Sequence, residues 1–337
     1  MKSLNFDTLR SLAFGIEYAE NQKGQIIFSR FSKSERESLS YGRDNSFATA
    51  GIRLEFLTDS RMFKISVGAR SSNEQGRNFY SFDVYCNGKF FGSIKNFNSE
   101  PVYPYKEYRL ADRHKTYKLP NGVNHISVYF PWSVQGVIKD IEIDDNAFIK
   151  PVPKGKKLIM YGDSITQGYD AALPSASYAS RLADLLCTDC INKGIGGSVF
   201  MPELTKQMRR LRPDIITVAY GTNDWNISEY EDFSSRCMEF FDNIYRNCPS
   251  TPVFAISPIW RADCNGQRKA GTFAEVSEFI KNAVSKYENM FFINGFDFVP
   301  KKEIYFRDGY LHPNDKGFEF YTKAISEQIN YFTEETK

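Results

Sequence analysis

The hydrophobic pattern changes its period near the middle of the chain. Up to about residue 150, apolar positions alternate with polar ones. They do so at Ile52, Leu54 and Phe56, at Phe63, Ile65 and Val67, and at Tyr80, Phe82 and Val84. The pattern returns at Ile126, Val128 and Phe130, and again at Ile141 and Ile143. A period of two marks strands with one buried face. Asn87-Gly88 closes the third run and is a strong signal for a two-residue hairpin. Helical spacing is almost absent, so residues 1–150 are expected to form an antiparallel, jelly-roll-like β-sandwich serving as an accessory domain.

The proline-containing stretch from Phe148 to Lys156 reads as a linker. Beyond it the strands become short continuous apolar runs: Leu158 to Tyr161, Ile215 to Ala219, Val253 to Ile256 and Phe291 to Ile293. Runs of this kind are buried on both faces, as in a parallel sheet. Between them lie amphipathic stripes. One comprises Tyr178, Leu182, Leu185 and Leu186, and another Phe233, Cys237, Phe240, Phe241 and Ile244. A third, Val276, Phe279, Ile280, Ala283 and Val284, follows a Thr272-x-x-Glu275 capping box, and Phe318, Tyr321, Ile325 and Ile329 make the last. Alternating strand and helix predicts a doubly wound α/β/α domain over residues 151–337.

The 337 residues suffice for two domains. Net charge is only +2, and no basic run interleaves with aromatics, so nucleic acid is not an expected partner. No apolar stretch approaches the ~18 residues that span a bilayer, so no membrane role is expected. The N-terminal residues lack the apolar segment of a secretory signal, which predicts a cytoplasmic protein, or a secreted one if a signal precedes this sequence. The six cysteines are scattered, and Cys187-Thr-Asp-Cys190 has no second pair. They are read as free thiols, with no metal and no cofactor.

Four segments that follow strands concentrate glycine and polar residues: Gly162-Asp163-Ser164, Asn192-Lys-Gly194-Ile-Gly196-Gly197, Gly221-Thr-Asn223-Asp224 and Asp308-Gly-Tyr-Leu-His312. Ligands bind open α/β sheets beyond the carboxyl ends of the strands. Acyl transfer needs a nucleophile, a base and donors for an oxyanion. Ser164 in a tight strand-to-helix turn supplies a hydroxyl, Gly197 a bare N–H, and Asn223 an amide. His312 is the only histidine of the α/β half, His114 and His125 lying earlier, so it is the available base. Trp225 and Trp260 follow strands on the same side. Each either stacks on a sugar ring, walls an acyl pocket or simply packs.

These four blocks, in their order and spacing, resemble those of the SGNH or GDSL hydrolases. The resemblance covers residue 157 to about 330. It implies a flavodoxin-like fold with five parallel strands and an esterase with Ser164 as nucleophile and His312 as base. It also implies an oxyanion hole of the Ser164 N–H, the Gly197 N–H and the Asn223 amide. The family usually places its triad aspartate three residues before the histidine, where this sequence has Gly309. Asp308, four before, either completes the triad or leaves a Ser-His dyad, as in family 2 carbohydrate esterases. A sandwich ahead of such a domain is similar to the order in those esterases, and implies O-acetylated sugars or oligosaccharides as substrates. Rival readings are a lipase, arylesterase or thioesterase of the same fold, or a carbohydrate-binding protein with an inactive hydrolase domain. The sandwich is left to bind sugar, shape the cleft or support a homo-oligomer.

Overall fold

The computed structural model describes residues 1–72 and 77–335, with side chains described to residue 332. The chain divides into two compact units. The first comprises Met1–Ser32, Asp44–Gly155 and Ala172–Ser175; the second comprises Lys33–Arg43, Lys156–Ala171 and Ala176–Lys337.

The first unit contains two six-stranded antiparallel sheets. One runs β3 (Tyr18–Gln22), β4 (Gln25–Ser29), β11 (Gln135–Ile143), β6 (Met62–Arg70) and β9 (Arg113–Lys118), with β1 (Lys2–Ser3) beside β11. The other runs β12 (Ile149–Pro151), β5 (Arg53–Thr58), β10 (Asn124–Tyr129), β7 (Ser81–Cys86) and β8 (Lys89–Lys95), with β2 (Ala13–Phe14) beside β5. The alternating residues meet in one core: Leu54, Phe56, Phe63, Ile65, Val67, Phe82, Val84, Ile126 and Val128 are all 0% exposed. Asn87 and Gly88 join β7 to β8 with φ of 53° and 74°, the paired left-handed values of a type I′ turn. Helix α1 (Phe6–Leu12) buries Leu9 and Leu12 and is capped by Asn5, whose side chain accepts from the Thr8 N–H. It adds helix where the alternation had suggested almost none.

The second unit carries a parallel sheet in the order β14 (Asp189–Gly194), β13 (Lys157–Gly162), β15 (Ile215–Ala219), β16 (Val253–Ile256), β17 (Met290–Ile293). With the strands counted from β13, this is the 2-1-3-4-5 order of flavodoxin-like folds, whose switch point lies beside the first strand. Strand β14, Asp-Cys-Ile-Asn-Lys-Gly, is polar in sequence yet buried throughout, which hides it from a search for apolar runs. The helices are α2 (Lys33–Ser38), α3 (Ser164–Gln167), α4 (Tyr178–Leu185), α5 (Thr222–Ile227), α6 (Tyr230–Asn247), α7 (Phe273–Val284) and α8 (Asp315–Glu335). Both bonds of the capping box at Thr272 and Glu275 are made. Leu185 departs from its expected stripe: it ends α4 and is 61% exposed.

The two exchanged segments have identifiable anchors. Ser175 is held within the first unit by the buried Asp83 carboxylate, which accepts from its N–H at 3.1 Å and its hydroxyl at 2.7 Å. In the second unit, Glu35 of α2 pairs with the fully buried Lys193 of β14 at 2.8 Å and with Arg210 at 3.0 Å. Ser40 adds a 2.8 Å bond to Glu203. Removing Lys193 takes away the buried partner of the Glu35 carboxylate and leaves it with the more exposed Arg210, at a cost in stability. Lys193→Met is therefore expected to cost the chain about 3 kcal/mol in urea unfolding, with Glu35→Leu in the same chain restoring most of it. A loss under 1 kcal/mol for the single substitution would mean that the pair does not anchor this segment.

Candidate active site

The carboxyl end of β13 meets its neighbours where the side chains are smallest. Gly162 lies in register with Gly194 of β14 and Ala219 of β15. The first turn of α3 passes over this platform: a Cβ on Gly194 would stand 2.4 Å from the Gln167 amide nitrogen. Asp163 caps α3, its Oδ1 accepting from the Ile165 N–H at 2.9 Å. Ser164 follows, 4% exposed. Burial pushes the Asp163 carboxyl up to about 6, against the pull of the Ile165 N–H, His312 and Arg261.

The Ser164 Oγ lies 2.8 Å from His312 Nε2, across 148 residues of sequence. On the other side of the ring, Nδ1 lies 2.6 Å from Asp308 Oδ2. The spacing of four is accommodated by a tight turn in which Gly309 adopts φ 80°. In that turn Asp308 Oδ1 accepts the backbone N–H groups of Tyr310, Leu311 and His312 at 3.1, 2.8 and 3.1 Å. One carboxylate oxygen thus folds the turn and the other faces the imidazole. Burial alone would raise Asp308, but the His312 hydrogen bond and charge and the Leu311 and Tyr310 N–H groups hold it at about 2.

The remaining residues expected at the site fall out differently. Asn223, in the first turn of α5, donates from Nδ2 to the Ser198 carbonyl at 2.9 Å, using one of its two amide protons. Gly197 has φ 77°, and a Cβ there would meet the Tyr41 hydroxyl at 2.7 Å. Both Gly197 and Tyr41 line a cleft of about 540 Å³, with Val199, Met201, Pro202 and Ile227 among its other walls. Trp225 is not available to a ligand: it is 0% exposed, with the Arg261 and Arg268 guanidinium groups 5.0 Å from its ring and Phe273 edge-on. The helical turn of α5 carries it inward. Trp260 is half-buried against Phe306. Asn314 caps α8, accepting from the N–H groups of Lys316 and Gly317.

Sequence reasoning missed three participants. Tyr41 comes from the Lys33–Arg43 segment. Asp170 lies 0% exposed with its carboxylate 3.5 Å from His312 Nδ1, and the Tyr169 ring leans on the imidazole at 5.7 Å. A Gly-Tyr-Asp run after the nucleophile turn was a faint signal for these last two. The donor atoms of Asp170, Asp308 and His312 lie within 4.8 Å of one another. All six cysteines are free, Cys187 exposed after α4 and Cys190 buried in β14. Among the described residues no helix is long and apolar enough to cross a membrane.

Residues 160–320 match the GDSL-like Lipase/Acylhydrolase family. No curated protein sequence matches the chain. Among solved structures, the chain is similar to a salicylyl-acyltransferase from a tetracycline biosynthetic pathway, at 19% identity and a TM-score of 0.79, covering 95% of this chain and 94% of that one. A GDSL-like lipase from Bacteroides ovatus is also 19% identical, with a TM-score of 0.78 and coverage of 99% and 98%. An acetyl xylan esterase from the rumen bacterium Butyrivibrio proteoclasticus is 15% identical, with a TM-score of 0.64 and coverage of 100% and 99%. At these identities the likeness is one of fold.

The low position of Asp308 fixes a sign. Its ionised form contributes stability that is complete above about pH 4 and is lost as pH falls through about 2. In unfolding measured across pH, Asp308→Asn should be less stable than the parent by about 2 kcal/mol at pH 6, with the gap largely closed near pH 2. A gap of constant size would remove the ionised carboxylate from the account.

Proposed function

We propose that the protein, whose residues 160–320 match the GDSL-like lipase/acylhydrolase family, is a serine esterase acting through an acyl-enzyme, with O-acetylated sugars or oligosaccharides as substrates. The 2.8 Å contact between Ser164 Oγ and His312 Nε2 carries this reading. His312 takes the hydroxyl proton as Ser164 attacks the ester carbonyl. Asp308 on Nδ1 fixes the ring so that Nε2 faces the nucleophile, and stabilises the imidazolium as it forms. The Ser164 N–H, the Gly197 N–H and the second amide proton of Asn223 are the donors to the tetrahedral oxyanion. His312 then passes its proton to the leaving alcohol, and a water activated by the same imidazole releases the acid.

The sugar ester is favoured by the acetyl xylan esterase and family 2 carbohydrate esterases among the similar folds. A cleft of about 540 Å³ opens beside Gly197, although neither Ser164 nor His312 lines it. Tyr41 offers a half-exposed ring at its edge. The acyltransferase likeness supports a second outcome from the same acyl-enzyme, in which an alcohol replaces water at the last step.

Ser164→Ala and His312→Ala are expected to lower kcat by at least roughly 10⁴-fold, and Asn223→Ala by roughly 10²–10³-fold, on a chromogenic acetyl ester. Mass spectrometry of a panel of acetylated oligosaccharides incubated with the protein should show loss of acetyl groups, and added alcohol acceptors would reveal transfer. A preference for octanoyl over acetyl esters of one alcohol would replace the deacetylase reading with a lipase one. Undiminished turnover in Ser164→Ala would end the esterase mechanism.

A further inference from the structure

His312 faces two carboxylates, and the mechanism above uses one. We propose that Asp170 is a second positioning residue for His312, acting through the imidazole and never touching the substrate. The inference rests on the reading of His312 as the base.

Asp170 is costly where it stands. Its side chain is 0% exposed, and a carboxylate taken out of water needs charges or donors around it. Its backbone has φ 70°, a left-handed conformation that strains most residues by about 1 kcal/mol and that Asp and Asn bear best. Strain of this kind concentrates at functional sites.

The local chain explains how the carboxylate arrives. The Ser164 carbonyl accepts the N–H groups of Gly168 and Tyr169 at 3.0 and 2.9 Å, which closes α3 and turns the chain back. Asp170 is then fixed from the far side. Arg307 donates from Nε to the Asp170 carbonyl at 2.5 Å and from its backbone N–H to the His312 carbonyl at 2.8 Å. One arginine therefore holds together the segment leaving the nucleophile and the segment carrying the base.

The two distances set the division of labour. At 2.6 Å Asp308 accepts the Nδ1 proton; at 3.5 Å Asp170 acts mainly through its charge. When Ser164 gives up its proton to Nε2, the ring gains a positive charge with both carboxylates on its Nδ1 side. No proton passes to either. If Asp308 is lost, Asp170 is the acceptor to which the Nδ1 proton can turn, so the two carboxylates share one task.

Asp170→Asn tests this, because asparagine keeps the volume and tolerates the left-handed backbone while removing the charge. In the full chain, with a chromogenic acetyl ester, kcat should fall roughly 10-fold with KM within about twofold, and the thermal midpoint should hold. Combined with Asp308→Asn, the loss should exceed the product of the two single losses, because each carboxylate covers for the other. Should Asp170→Asn fail to fold, Asp170→Gly relieves the backbone, and added formate should restore part of its kcat without raising that of the parent. Unchanged kcat in Asp170→Asn, losses that simply multiply, or no recovery with formate would each overturn the proposal. An active His312→Ala would instead bring down the underlying assignment of the base, a different failure and separately visible.

Discussion

The site depends on an imidazole held from several directions at once. Nε2 of His312 faces the Ser164 hydroxyl and Nδ1 faces Asp308, so the ring cannot turn without giving up one contact. A hydroxyl and an imidazole separated by 148 residues meet only if both ends of the parallel sheet domain are correctly placed. That places the burden on β13, whose carboxyl end launches Ser164, and on the turn before α8, which presents His312. Small residues at Gly162, Gly194 and Ala219 let the nucleophile turn lie close over the sheet.

Several acids near this point are buried, and each is managed differently. Asp308 spends one oxygen on three backbone N–H groups and the other on His312, which keeps it ionised. Asp163 spends its side chain on the first turn of α3 and is raised to about 6 by burial. Asp224, deeper still, is pushed by burial to about 7, with Oδ1 bonded to the Phe200 N–H and Oδ2 without a partner among the described residues. Burial thus sorts carboxylates of identical chemistry into different roles, according to how many donors reach each one.

The division of the chain into units follows a similar logic of anchoring. Strand period changes near residue 150, yet Lys33–Arg43 groups with the parallel sheet, where Glu35 finds its buried partner in Lys193. Ala172–Ser175 belongs with the antiparallel sheets, where Ser175 satisfies Asp83. Single polar contacts in dry surroundings decide these placements, which no hydrophobic pattern records.

Taken alone, the sequence determined the architecture. Alternation at Phe63, Ile65 and Val67 reports a one-sided strand, and the continuous run at Leu158 to Tyr161 a two-sided one, because burial acts on neighbouring residues in a fixed period. It also singled out Ser164, His312 and Asp308, through residue type and turn chemistry that are local in sequence. Only the tertiary structure decided what distance and direction decide: that Gly309 in a left-handed turn lets an acid four residues away reach the ring, that Trp225 points inward between Arg261 and Arg268, and that Asp170 and Tyr41 reach the site. Strand β14 stayed hidden for the same reason, since its polar residues are satisfied by neighbours remote in the chain, as Lys193 is by Glu35. Periodicity is a one-dimensional record of burial; contacts between residues far apart in the chain leave no such record, because the groups that satisfy them are brought together only when the chain folds.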